Sequence, residues 1–442
     1  MHNISIFGTS SDAGKSTVTW LVGRLLQEAG CSVAPFKAQN VSNNAHVADD
    51  GSEIAIAQYF QAKALSVPTS WHNNPVLLKS GRGSSASLIV GGKTAASKDV
   101  REYYRDLDTL KPIVQEAFEY LDARYDVVIA EGAGSPVELN LMDKDLSNIF
   151  IATRFNTRII LVADIEKGGV FASVYGVYHL LPEQLRENVA GVIINKFRGD
   201  LSLFDKGIEI IENEFGIPVL GVLPYTPFNL GFEDSQSLMN YTQECSRALR
   251  RIAVIAYPAM SNYTDFEPLL ANPDICLEFI RTNVDLSGFE CIILPGSKLV
   301  MQDLTWLKER GLFAQLQQHY REGRINLVGI CGGYQMMFER IVDEHCIEVQ
   351  KPASAAALGF IEGEIHFQKE KILKRNGEKY EIHHGTSAAY PSEYRNGKVY
   401  GTFSHGLFAD AWFKHYERET IERFVKKMKR HLDAERIIQS VR

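Results

Sequence analysis

A chain of 442 residues that is 45% hydrophobic and 23% charged has the composition of a globular protein. It has room for two cores of about 200 residues each. The formal charge of −7 is spread along the sequence without a basic stripe, which excludes an electrostatic footprint for nucleic acid. No apolar run reaches the ~18 residues of a membrane span, and the N-terminus opens on a strand rather than on a signal-peptide layout, so a cytoplasmic location with no membrane partner is expected. The six cysteines (Cys31, Cys245, Cys276, Cys291, Cys331 and Cys346) form no C-x-x-C pair, so neither a disulfide framework nor a structural zinc site is expected. All but Cys331 read as small buried apolar residues.

In chain order, a strand at 4–7 runs into a glycine-rich turn and an amphipathic helix. Strands at 32–36, 126–130, 158–163, 191–195 and 219–224 follow, with helices between them. Their nearly uninterrupted β-branched runs suit strands covered on both faces, which predicts an α/β fold with a doubly wound parallel sheet. Residues 225–251 mix Pro, Asn, Ser, Gln and charges, so a boundary is expected near 235–250. A second α/β half follows, with strands at 252–256, 291–294 and 327–330. The basic cluster Arg423, Lys426, Lys427, Lys429 and Arg430 reads as a solvated helix face. The expected domains are 1–240, which binds nucleotide, and 250–442.

The first strand enters Gly8-Thr9-Ser10-Ser11-Asp12-Ala13-Gly14-Lys15-Ser16. Strand, glycine-rich loop and helix in that order let backbone N–H groups and a helix N-terminus wrap a polyphosphate. Five residues separate the glycines instead of the usual four. The expected ATP-binding residues are Gly8, Thr9, Ser11, Asp12, Gly14, Lys15 and Ser16, with Lys15 on the β/γ phosphates and the Ser16 hydroxyl on Mg²⁺. Glu131 ends a buried strand and is followed by Gly132, which places it at the ligand crevice of such a sheet; it is the first carboxylate expected on the metal. Asp50 and Glu53 are weaker metal candidates. Asn195 and Lys196 end another strand, where contact with the nucleotide base and capping of the next loop are equally open.

In the second half, the strand at 327–330 delivers Cys331 into Gly329-Ile330-Cys331-Gly332-Gly333-Tyr334-Gln335. Glycines around a strand-end nucleophile permit a sharp strand-to-helix turn, a helix start favours thiolate, and the Gly332 N–H can point at an oxyanion. A thiolate of this kind needs a base. His405, presented by Ser404-His405-Gly406, is the expected one, with His383 and His384 as competitors. Gly296 in Leu294-Pro295-Gly296-Ser297-Lys298 is a second oxyanion candidate. Cys331 with His405 implies attack on the side-chain amide of glutamine, which releases ammonia.

Taken together, these residues resemble the cobyric acid synthase family, the glutamine-hydrolysing ligases of cobalamin biosynthesis. The resemblance runs through the phosphate loop, Val33-Ala34-Pro35-Phe36-Lys37-x-Gln39-Asn40, Asp50-Gly51-x-Glu53-Ile54 and Asn74-Pro75-Val76-Leu77-Leu78-Lys79. It continues in Glu131-Gly132-Ala133-Gly134-Ser135-Pro136, Ile194-Asn195-Lys196-Phe197-Arg198-Gly199-Asp200, the Cys331 elbow, Tyr380-Glu381-Ile382-His383 and His405-Gly406-Leu407-Phe408. It implies a dethiobiotin-synthetase-like ATP-binding domain joined to a class I glutamine-amidotransferase-like domain, with ATP and Mg²⁺ used. Amidation of the b, d, e and g carboxylates of adenosylcobyrinic acid a,c-diamide, at the expense of glutamine, is the reaction it implies. Lys37, Gln39 and Asn40 would then lie near the corrinoid; Tyr103, Tyr104 and His72 are also suited to it chemically, although ordinary packing is the stronger reading for those three. Related glutaminases carry an acid two places after the base, where this chain has Leu407, so another group must orient His405. Two rivals are an a,c-diamide synthase-type amidoligase and a P-loop regulatory ATPase with an idle glutaminase-like domain.

Overall fold

The computed structural model describes residues 1–80, 85–99, 107–226, 250–270, 272, 274–408 and 421–442. The boundary expected at 235–250, together with Tyr103 and Tyr104, lies outside them. The first half is built on a parallel six-stranded sheet in the order Val219–Pro224, Val189–Phe197, Arg158–Asp164, Ile4–Gly8, Val127–Glu131, Val33–Phe36. Ile4–Gly8 and Val127–Glu131 are buried at every position, as unbroken apolar runs between two helical layers require. Helix Lys15–Glu28 packs Val18, Leu21, Val22, Leu25 and Leu26 on one face. The opposite face is filled around Phe7, Leu161 and Val192 and around Phe36, Phe118 and Val128.

Residues 421–442, which sequence groups with the second half, pack on this first sheet. Phe424, Val425, Met428, Leu432, Ile437 and Val441 join the core of Ile4, Trp20 and Leu21. Ile437 and Val441 are one turn apart and point to the same side of helix Ala434–Val441, whose start is capped by Asp433. The chain ends are tied by His2 N–H to Val441 O at 2.7 Å and Asp433 N–H to Leu220 O at 2.8 Å. Helical residues 421–429 carry the expected basic face; Lys429 pairs with Glu28 and Lys427 reaches Thr226.

The second half has the sheet order Ile275–Ile280, Arg250–Ile255, Cys291–Leu294, Asn326–Ile330, Val399–Thr402, Glu393–Asn396, parallel except for the last strand. Among the described residues four smaller sheets escaped the sequence reading, the shortest pairing Met260–Ser261 with Gly296–Ser297. Gln39–Val41, Val76–Ser80, Ser85–Val90 and Lys93–Asp99 form a second, Ala45–Val47 and Glu53–Ala55 a third, and Ala353–Ala356, Phe338–Asp343, Ile361–Asn376 and Lys379–Thr386 the fourth. These insertions join the halves: Ala45, Val47, Ala55, Leu77 and Ile89 share one apolar cluster with Tyr380 and Ile382.

Two cysteine expectations need correction: Cys346 is exposed and Cys291 only half-buried, while Cys276 is disulfide-bonded. Among the described residues no helix is long and apolar enough to cross a membrane.

Candidate active site

The carboxyl ends of Ile4–Gly8 and Val127–Glu131 lie side by side, with Ile6 level with Glu131. The phosphate loop therefore opens directly over the Glu131 carboxylate. Gly14 has φ 93°, a left-handed conformation suited to glycine, and starts the helix that carries Lys15 and Ser16. Lys15 Nζ donates to Gly134 O at 2.9 Å and Ser10 O at 3.3 Å, which bridges the loop to the segment after Glu131. Ser16 Oγ and Lys37 Nζ both donate to Glu131 Oε1 at 2.8 Å, and Gln61 Nε2 donates to Oε2 at 2.6 Å. A hydroxyl and one carboxylate at a phosphate loop are the protein ligands Mg²⁺ usually takes, its remaining positions being filled by phosphate oxygens and water. The residues thus fit the metal.

Thr9 N–H is bonded to Val162 O at 2.9 Å, whereas Ser11 and Asp12 are exposed at the loop's rim. Asn195 Nδ2 donates to Ala13 O at 2.9 Å, so this residue braces the loop from behind. Lys196 does the same through Asp12 O at 2.6 Å while pairing with Asp164 at 2.9 Å. Asn40 donates to Gln58 Oε1 at 2.8 Å, and Gln39 N–H is bonded to Ser147 Oγ at 3.2 Å. Both lie on the strand two residues past Lys37.

Asp50 and Glu53 are engaged elsewhere. Asp50 closes a turn by accepting from Ser52 N–H at 3.0 Å, and Glu53 is ion-paired with Lys79 and Lys371. His72 is stacked between Trp71 and Tyr120, at 4.0 and 3.6 Å between ring centroids.

At the second site, Cys331 has φ 49° and ψ −104°, a strained conformation for a residue with a side chain and the mark of a nucleophile elbow. The glycines make it possible: a Cβ at Gly333 would collide with Leu294 O, and one at Gly332 with Ser297. Gly296 packs on the other side, where an added Cβ would lie 3.0 Å from His405 Cε1. Both oxyanion candidates thus flank the reacting pair; Cys331 Sγ donates to Ile382 O at 3.5 Å, and Cys331 is among the groups that raise the His405 pKa. His383 is held by Gly385 O at 2.7 Å and His384 by Gln368 O at 2.9 Å. Burial takes His384 down to about 4, with Lys371 adding to the effect.

The group that orients His405 is Asp265. Nδ1–H of His405 donates to Asp265 Oδ2 at 2.7 Å and Gly406 N–H to Oδ1 at 2.8 Å, with the imidazole fully buried. Burial pulls the imidazole pKa down. The charge of Asp265, the nearby Cys331 and the hydrogen bond to Asp265 outweigh it and lift the value to about 10. No local pattern announces Asp265; it comes from a short 3₁₀ turn, Tyr263–Phe266, far upstream.

Asn262 adds a fourth group. Its Nδ2 lies 2.8 Å from His405 Nε2 and its Oδ1 3.2 Å from the backbone N of Ala45. Because Ala45 N–H can only donate, Oδ1 must face it, and the NH₂ is left to face the imidazole. Ala45 belongs to the first half, as does Asn44, whose Oδ1 accepts from Tyr263 N–H at 3.1 Å. A stack of rings, His405, Tyr380, His46 and Tyr59, crosses the same boundary with centroid spacings of 5.1, 3.8 and 3.6 Å.

Comparison with known proteins agrees with this division. Residues 4–230 match the CobQ/CobB/MinD/ParA nucleotide binding domain and residues 251–413 the CobB/CobQ-like glutamine amidotransferase domain. The cobyric acid synthase of Acinetobacter baylyi is 56% identical over 466 aligned residues, covering 100% of this chain and 99% of its own. The cobyric acid synthase of Chlorobaculum tepidum is 38% identical, with 92% and 88% covered, and that of Anoxybacillus flavithermus 39%, with 92% and 86%. This chain is therefore a member of the cobyric acid synthase family, amidoligases of cobalamin biosynthesis that join a P-loop nucleotide-binding domain to a glutamine amidotransferase domain.

Proposed function

We propose that this enzyme converts adenosylcobyrinic acid a,c-diamide to adenosylcobyric acid by amidating the b, d, e and g carboxylates with ATP, Mg²⁺ and glutamine. We place the nucleotide-binding unit within residues 1–240, the glutaminase unit within 250–442, and the enzyme in the cytoplasm. The observation that carries the reading is the Cys331–His405–Asp265 constellation, set across a shared interface from a phosphate loop that opens on Glu131.

At the elbow, the Cys331 thiolate attacks the glutamine side-chain carbonyl. Gly332 and Gly296 supply the oxyanion contacts, and His405, held protonated by Asp265, gives its proton to the departing ammonia. Water then hydrolyses the glutamyl thioester, with His405 as base, and glutamate leaves.

A carboxylate at neutral pH does not accept an amine, so at the other site a corrinoid carboxylate oxygen attacks the γ-phosphorus of ATP and ADP departs. Lys15 neutralises charge on the transferring group, and Ser16 with Glu131 would hold the metal. Bound Mg²⁺ supplies further charge neutralisation there. Ammonia then displaces phosphate from the acyl phosphate and leaves the amide. Gly8, Thr9, Ser11, Asp12, Gly14 and Asn195 shape the nucleotide site, while Lys37, Gln39 and Asn40 border the corrinoid.

Mass spectrometry of the corrinoid after incubation with ATP and glutamine tests this directly. Four successive replacements of OH by NH₂ are expected; two would assign the chain to the a,c-diamide type, and none would favour a regulatory ATPase. In Cys331→Ala, amidation should stop with glutamine and continue with ammonia, and failure of ammonia to rescue would overturn the assignment of the two halves.

A further inference from the structure

Beside the elbow, the interface buries a group of charges that the mechanism above does not use. Glu53 of the first half is fully buried, and its two carboxylate oxygens are taken by Lys79, also of the first half, and by Lys371 of the second, the latter at 2.9 Å. Lys298 is the third lysine of the group. Its Nζ is buried and makes no hydrogen bond among the described residues, although the rest of its side chain is partly exposed. Burial depresses its pKa strongly, and the ammonium groups of Lys79 and Lys371 push the same way, against Glu53.

Among the described residues Lys79 and Lys371 thus occupy the one carboxylate of the group, and the Lys298 amine, which burial drives toward its neutral form, has no counter-charge to hold its proton. A buried amine keeps its proton only beside a counter-charge, so the chemical complement of this site is an anion. Its position says which one. Lys298 follows Ser297, whose backbone abuts Gly332, and Gly296, which touches the His405 ring. Lys298 N–H is fixed to Ala259 O at 2.9 Å. The site therefore sits at the edge of the nucleophile's pocket, where the part of glutamine remote from its reacting amide must lie.

Building on the glutaminase reading of Cys331, we infer that Lys298, with Lys79 and Lys371 held around Glu53, forms the subsite for the α-carboxylate of glutamine, and that both halves of the chain build it. The carboxylate supplies the missing charge and restores the proton to Lys298. Because Glu53 and Lys79 arrive with the first half, glutamine is bound well only when the halves are docked, which keeps ammonia release next to the site that consumes it.

The test compares L-glutamine with L-glutaminamide, its α-carboxamide, as substrates for ammonia release by the full chain and by Lys298→Met and Lys298→Arg. The parent should favour L-glutamine in kcat/KM by about 10- to 100-fold, the range of one charge-assisted contact. In Lys298→Met, KM for glutamine should rise by a similar factor with kcat less affected, and the preference over glutaminamide should vanish; Lys298→Arg should restore part of it. An unchanged preference in Lys298→Met overturns the inference. So does a change confined to the corrinoid KM in ammonia-driven amidation, which would give the site to the acceptor. No glutamine hydrolysis by the parent would instead remove the glutaminase reading on which the inference rests.

Discussion

Ala45 donates its backbone N–H to Asn262 Oδ1 at 3.2 Å, and this contact decides which end of the Asn262 amide meets His405. With the NH₂ end at Nε2, Asn262 competes for the lone pair that must take the proton of Cys331, and it opposes the imidazolium that Asp265 favours. The Ala45 contact thus holds Asn262 against protonation of His405 Nε2. Asn262→Ala removes that donor. Glutamate release in the absence of ATP and corrinoid should rise about 2- to 12-fold, the worth of one net hydrogen bond. Amide formation should not rise with it, so glutamate formed per amide should exceed the parent's ratio. The idea fails if that ratio, measured by glutamate assay and corrinoid mass spectrometry, is unchanged.

Asp265→Asn replaces an acceptor with an amide whose NH₂ can face Nδ1, which would hold the imidazole in the wrong tautomer. Glutamine-driven amidation should fall by about 10²- to 10⁴-fold while ammonia-driven amidation persists. The pH behaviour has a definite sign. His405 is raised from 6.5 to about 10 in the folded chain, with burial opposing and Asp265 and Cys331 raising it. A raised group adds stability that is fully present below its unfolded value of 6.5 and lost as pH climbs through about 10. Without Asp265 the shift shrinks. The variant's stability deficit should therefore be largest below pH 6.5 and close toward pH 10, and the alkaline limb of glutaminase kcat/KM should move to lower pH. A limb that stays in place would show that Asp265 does not set the charge state of His405.

These residues divide along a physical line between what sequence reveals and what it hides. The phosphate loop and the Cys331 elbow are local: strand, tight glycine turn and helix are contiguous, so the spacing of Gly8, Gly14 and Lys15, or of Gly329, Cys331 and Gly333, betrays the geometry. Most of the parallel strands were legible for the same reason, each being a short β-branched run between helices, although Ile275–Ile280 at the edge of the second sheet was missed. Asp265, Asn262 and Gln61 act through contacts made only when distant segments fold together. Asp265 lies 140 positions from His405 and Gln61 lies 70 from Glu131, and neither sits in a periodic pattern that marks it. The short interface strands, such as Ala45–Val47 and Glu53–Ala55, carry too few residues for an alternation to declare itself.

Glu131 gathers Ser16, Lys37 and Gln61 within 2.6 to 2.8 Å. Glu131→Gln keeps the shape and removes the charge that would face Mg²⁺. Amidation should fall at least about 100-fold whether nitrogen comes from glutamine or ammonia, because phosphoryl transfer precedes both. Glutamine hydrolysis at Cys331 should continue. A loss of glutamine-driven activity alone would mean that Glu131 serves communication between the sites instead of phosphate chemistry.

The return of the C-terminus to the first sheet yields a prediction about stability rather than chemistry. Ile437 is fully buried in the core that holds Ile4, Trp20 and Leu21, and its helix is pinned by Arg436 to Glu212 at 2.6 Å. Truncating a buried isoleucine removes its transfer free energy and leaves a cavity, so Ile437→Ala should cost about 2–5 kcal/mol. That cost falls on the nucleotide-binding half, although sequence groups the residue with the glutaminase half. In urea titrations, protection by nucleotide should weaken and the transition of the first half should shift to lower denaturant, while glutamine hydrolysis under native conditions is retained. If the substitution instead lowers the glutaminase transition and spares the nucleotide site, the terminal helix stabilises the second half and its packing on the first sheet contributes little.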